Sequence, residues 1–143
     1  MRFKLVTATL TLLITQTALA AAPALPTTCP TVDAFKNTGV SYAMNDEDGT
    51  WDGIEWKNHF GTENEWSFGV VGINADSASE ALSKANAAIP GLVFKQGPEK
   101  MGTEQEPMWI CMYSSPAKEF GGVAVTPAMT PEMSKLTRLM RSR

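Results

Sequence analysis

Residues 66–91, WSFGVVGINADSASEALSKANAAIPG, hold the two most legible elements of the chain, and the way they adjoin suggests the fold class. Residues 66–73 alternate Trp66, Phe68 and Val70 with smaller residues and are rich in aromatic and β-branched side chains, so they predict a strand. Ser77 then offers an N-cap, and Glu80, three residues on, completes a capping box. Ala78, Ala81, Leu82, Ala85, Ala88 and Ile89 recur at helical spacing, and Pro90-Gly91 ends the run. A stripe of small alanines is a packing surface that lets a helix lie close on a sheet.

Upstream, residues 30–37 predict a short helix stopped by Gly39. Residues 40–44 alternate as a strand, 45–49 are turn-forming by chemistry, and 51–56 return as a second strand that Gly53 weakens. Downstream, 92–94 and 108–113 read as strands separated by a polar loop over 97–107, and 123–125 as an edge strand. Residues 131–141 predict a last amphipathic helix, capped by Thr130, with Met133, Leu136, Leu139 and Met140 on one side. The connections are hairpin-length. They imply an α+β domain: an antiparallel sheet of about five strands with one long helix packed on a face, a short N-terminal helix and a C-terminal helix.

The N-terminus is of another character. Arg2 and Lys4 precede an uncharged apolar stretch, 5–15, that closes on Ala18-Leu19-Ala20, the pattern of a cleavable signal peptide over 1–20. Cleavage after Ala22 is the close alternative. The apolar run falls short of the roughly 20 residues a spanning helix needs, so no membrane span is expected after cleavage. The 123 residues that remain suffice for one domain, read as a flexible lead over 21–28 and a single stapled domain over 29–143. A periplasmic or secreted location is therefore expected. There, Cys29 and Cys111, the only cysteines, are most simply one disulfide. Closing a loop of that length is worth up to roughly 4.5 kcal/mol in the chain-entropy account.

Two of the twelve basic residues leave with the signal, so ten face fifteen acids, a net charge of −5. That argues against nucleic acid or an anionic membrane as partner. The inventory is also poor for an enzyme, and no catalytic residue is assigned. His59 is the single histidine, and the chain has no His-Glu-x-x-His, no Cys-x-x-Cys and no glycine-rich phosphate loop. No metal site is expected. Residues 46–65 stand out: seven acids against Lys57 alone, interleaved with Trp51, Trp56, His59 and Phe60. They read either as a solvated hairpin face or as a site for a cation, a basic partner or a planar apolar ligand. The spacing of a twelve-residue calcium loop is not met. Trp66, Phe68, Phe94 and Trp109 are expected in the core, while Trp51, Trp56 and Phe60 are the better candidates for a ligand-facing surface. The methionines are mostly gap-fillers that could also face an apolar ligand.

Cys29-Pro30-x-Val32-x-Ala34-Phe35, the Trp66-x-Phe68 strand, the Ala75-x-Ser77 helix start with Glu80-Ala81-Leu82, and Trp109-x-Cys111-x-Tyr113 together resemble a family of small secreted proteins from Legionella and its relatives. Some of these bacterial proteins are labelled hemin-binding. The resemblance implies an exported α+β domain of mostly uncharacterised role, with heme as the implied cofactor. Iron is usually held by His, Met, Cys or Tyr. With both cysteines paired, His59, Tyr42, Tyr113 and the methionines remain, and Trp51, Trp56 and Phe60 could stack on a porphyrin. The acidic charge works against the propionates. The leading expectation is an exported, non-enzymatic binding protein for a small ligand, hemin first. The alternatives are an envelope or host protein–protein interaction factor using the acidic aromatic hairpin, and an enzyme of unrecognised type.

The exported chain is expected to begin at Ala21, which the intact mass of protein recovered from the periplasm or medium reads directly. A soluble species retaining residues 1–20 would refute the signal peptide.

Overall fold

The structure, a computed structural model, describes residues 24–117 and 119–131. The expected signal peptide, residues 21–23 of the lead and, beyond Pro131, the expected C-terminal helix lie outside these residues. No helix among the described residues is long and apolar enough to cross a membrane.

The chain runs α1 (Val32–Thr38), β1 (Tyr42–Asn45), β2 (Trp51–Asn58), β3 (Trp66–Ile73), α2 (Ala78–Ala88), a 3-10 turn (Ile89–Gly91), β4 (Val93–Gly102), β5 (Pro107–Ser114) and β6 (Gly121–Thr126). A helix followed by three strands thus occurs twice. All six strands form one antiparallel sheet in the order β1-β2-β3-β6-β5-β4. The third strand of each half therefore meets the other at the centre, and the domain is α+β.

Phe94, expected in the core, is 48% exposed on β4, and three details of the sheet differ from the sequence expectation. The sheet has six strands where about five were expected. The segment 123–125 is part of β6, which is central and paired on both sides, instead of an edge. Gly122 lets Leu92 approach this strand: an added Cβ there would stand 2.9 Å from a Leu92 methyl. The polar stretch 97–107 is mostly strand, because backbone pairing with β5 carries β4 through to Gly102 and leaves only 103–106 as loop. Gly97 and Pro98 are absorbed by irregular register, which an edge strand tolerates. Gly97, at φ 125°, is also required sterically, since a Cβ would lie 2.5 Å from the Ile110 carbonyl and 3.0 Å from Cys29 Sγ.

Both described helices pack on the same face of the sheet. Ser77 Oγ accepts the Glu80 N–H at 3.2 Å while the Glu80 carboxylate accepts the Asp76 N–H at 2.9 Å, so the start of α2 is fixed locally. Ala81 and Ala85 are fully buried against the strands. Asn86 clasps the chain entering β1, accepting the Val40 N–H at 2.9 Å and donating to the Val40 carbonyl at 3.0 Å. The core lies between: Phe35 of α1 stacks on Phe68 of β3 with centroids 3.7 Å apart, and Val70, Ile89, Cys111 and Tyr113 close around them. The Cys29–Cys111 disulfide is formed and ties the segment before α1 to β5 beside this core.

Gly53 is the point of closest approach of α2, for a Cβ there would meet Ala85 Cβ at 2.5 Å. Gly53→Ala should therefore lower the unfolding free energy by about 1–3 kcal/mol, as overpacking does, in urea titrations followed by tryptophan fluorescence. Gly91→Ala is the control, because a Cβ there meets nothing within 4 Å; it should stay within about 0.5 kcal/mol of the parent.

Candidate functional site

A β-strand sends alternate side chains to opposite faces, and in this sheet both faces are apolar. One is covered by α1 and α2. The other presents Tyr42 and Met44 on β1, Asp52, Ile54 and Trp56 on β2, Ser67, Gly69 and Val71 on β3, Val123 and Val125 on β6, Ile110 and Met112 on β5, and Glu99 and Met101 on β4. Cross-strand partners place them together: Ile54 opposite Gly69, Gly69 opposite Val123, Met112 opposite Val123, and Glu99 opposite Ile110. This face holds a cavity of about 460 Å³, within the range of small-molecule sites.

The cavity is floored by methyl and thioether groups, with Gly69 at its centre leaving depth where a side chain would stand. Met44, Met101, Met112 and Met129 all contribute to its wall. Its polar groups are few. Asp46 and Asp52 are only 6% and 7% exposed, and Asp52 accepts the Gly72 N–H at 3.2 Å. Glu99 stands on the β4 side. Ser67 is committed to the chain after β6: its hydroxyl accepts the Met129 N–H at 2.6 Å and donates to the Trp56 carbonyl at 2.5 Å. That pair of bonds seats Met129, which is buried, on the sheet face.

The sequence-selected residues are distributed around the molecule. Trp56 lines the cavity, and Tyr42, half-exposed, packs beside it with ring centroids 5.8 Å apart. Trp51 is turned to the loop before α2 and donates its indole N–H to the Ala75 carbonyl at 2.8 Å. Phe60 was expected on a ligand-facing surface but is a core residue. The chain takes a left-handed φ of 46° there, held by the Asn58 side chain, and its ring meets Phe35 at 4.9 Å edge-on. Tyr113 is buried on the helix-covered face and donates its hydroxyl to the Pro30 carbonyl at 2.6 Å. His59 is exposed beyond the end of β2, with Nε2 3.8 Å from Glu65, whose carboxylate also pairs with Lys57 at 3.1 Å. Trp51, Trp56 and His59 do not share one cavity.

The acidic stretch is likewise not one surface. Asp48 closes its own turn by accepting from the Thr50 N–H and hydroxyl, Glu55 accepts from Ser41, and Asp46 and Asp52 border the cavity. Among the described residues no group of three or more His, Cys, Asp or Glu side chains is placed to hold a metal ion. Sequence reasoning named the methionines and Asp52 only as members of larger groups, and it missed Ile54, Ser67 and Ile110. The available signal was in β3 and β5, WSFGVVGI and MWICMY, which are apolar in both parities, the mark of a strand with two apolar faces.

Burial pushes the Tyr113 phenol well above its ordinary range. A phenol whose folded value lies above its unfolded one stabilises the fold fully below the unfolded value and loses that contribution as pH rises past it. Stability should therefore decline with a Tyr113-dependent component beginning near about pH 10. Tyr113→Phe should start lower, for want of the Pro30 hydrogen bond, yet fall less steeply through the alkaline range in urea titrations at stepped pH.

Compared with known proteins, the chain matches no family model, no curated protein and no solved structure.

Proposed function

We propose that the chain is an exported binding protein, not an enzyme, whose ligand lies in the cavity on the face of the sheet opposite α1 and α2. The observation that carries this reading is the cavity: apolar walls, few polar groups and a flat strand floor, the composition that takes a planar apolar molecule. Hemin is the first candidate, because the resemblance to the Legionella-type secreted proteins implies it and because four thioethers border the cavity. Thioether sulfur is a soft ligand known to hold heme iron, and Trp56 offers a ring to the macrocycle. The propionates would have to point away from Asp46, Asp52 and Glu99, out of the cavity mouth.

The disulfide supports an oxidising compartment, in keeping with the expected export signal. Titration of the mature protein with hemin tests the reading. A Soret shift saturating at equimolar hemin is expected. Met101→Ala combined with Met112→Ala should weaken it about tenfold, or 1.4 kcal/mol, whereas His59→Ala should leave it unchanged. N-Phenyl-1-naphthylamine, a neutral apolar fluorophore, serves as the second probe: its binding without that of hemin would keep the cavity and change the ligand class. Failure of both probes would overturn the binding function, and loss of the Soret shift in His59→Ala would move the site to the exposed end of β2.

A further inference from the structure

The face that carries the cavity raises a packing question of its own. An apolar sheet surface spread over six strands is large for a soluble monomer to leave bare. Ile54, Asp52 and Asp46 on its β1–β2 side are 8%, 7% and 6% exposed, although both described helices lie on the opposite face. The chain also delivers itself to this face. After β6 it is pinned at the middle of the sheet, where Ser67 takes the Met129 N–H and Met129 itself lines the cavity.

The segment beyond Pro131 suits the surface to which the chain has been led. Residues 132–143 read EMSKLTRLMRSR, with Met133, Leu136, Leu139 and Met140 among four basic residues and a single acid, a net charge of +3. Residues 21–131 carry fourteen acids and six bases, a net charge of −8. Reach is not limiting. From Ser67 on β3 the β1 strand is two strands away, about 10 Å, and twelve residues extend about 18 Å even when coiled as a helix.

We propose that residues 132–143 of the same chain lie across the cavity-bearing face, with Met133, Leu136, Leu139 and Met140 on the sheet and the basic side chains toward Asp46, Asp52 and Glu99. The segment is then an internal occupant of the surface. This goes beyond the binding reading and does not require it, since the contact exists in the unliganded protein.

The test is oxidation of methionine by dilute hydrogen peroxide, followed by peptide mass spectrometry, on the mature protein without added ligand. Met44, Met101 and Met112 should react slowly in the full chain and several-fold faster in a chain ending at Pro131. A synthetic peptide of residues 132–143 added to the shortened chain should restore their protection, and a scrambled peptide should not. Should the shortened chain fail to fold, the full chain carrying Leu136→Glu and Leu139→Glu is read in its place, with the same gain in reactivity expected. Equal rates in the full chain and in the variants would overturn the proposal. Protection that is lost on dilution would overturn it too, by identifying a second copy as the cover. Neither result depends on whether hemin binds.

Discussion

Phe35 lies flat on Phe68 at a centroid separation of 3.7 Å, with Phe60 and Tyr113 edge-on to it at 4.9 and 5.1 Å. Four parts of the chain meet in that cluster: α1, the loop after β2, β3 and β5. Burying one phenylalanine completely is worth about 1.5–3 kcal/mol, and here a single ring organises three others. The cluster explains why Phe60 accepts a left-handed backbone and why Tyr113 sends its hydroxyl to Pro30. It also places Cys29 within bonding distance of Cys111, so the covalent staple and the aromatic stack hold the same junction.

That junction draws both described helices to one side of the sheet. Gly53 and Ala85 let α2 settle close to β2, and Asn86 fixes its approach through the backbone of Val40. Side chains of opposite parity on the same strands are left facing the other way, where the described chain supplies only Met129 and its neighbours as cover. The cavity is therefore a consequence of the core. Every residue in β3 that points toward Phe35 places its neighbour, Ser67, Gly69 or Val71, on the cavity floor.

The polar groups fit the same picture. Asp48, Glu55, Glu65 and Glu80 are engaged in turns, caps and ion pairs with groups close by, which is how an acidic surface stays compatible with a folded chain. Asp46 and Asp52 are buried at the border of the apolar cavity, and Asp52 accepts the Gly72 N–H there. The charge of the cavity border and the charge of residues 132–143 are opposite in sign, whichever molecule finally occupies the space between.

The sequence by itself determined the elements whose cause is local. The strand 66–73 came from alternation, α2 from its capping box and alanine stripe, and the disulfide from there being only two cysteines in a chain whose first twenty residues read as an export signal. It also carried, in the two-parity apolar runs of β3 and β5, the fact that both faces of the sheet are apolar. Only the tertiary structure decided what depends on partners distant in the chain. It made β6 central, because pairing with β3 and β5 outweighs the poor strand propensity of its glycines. It extended β4 through Gly97 and Pro98, because the β5 backbone was there to bond it. It sent Phe60 to the core through a left-handed turn held by Asn58, and it left Trp56 at the cavity, because the register of one bulged strand determines which face its side chains meet. Local sequence fixes a strand's period, but which parity faces the helices is set by packing across the whole sheet.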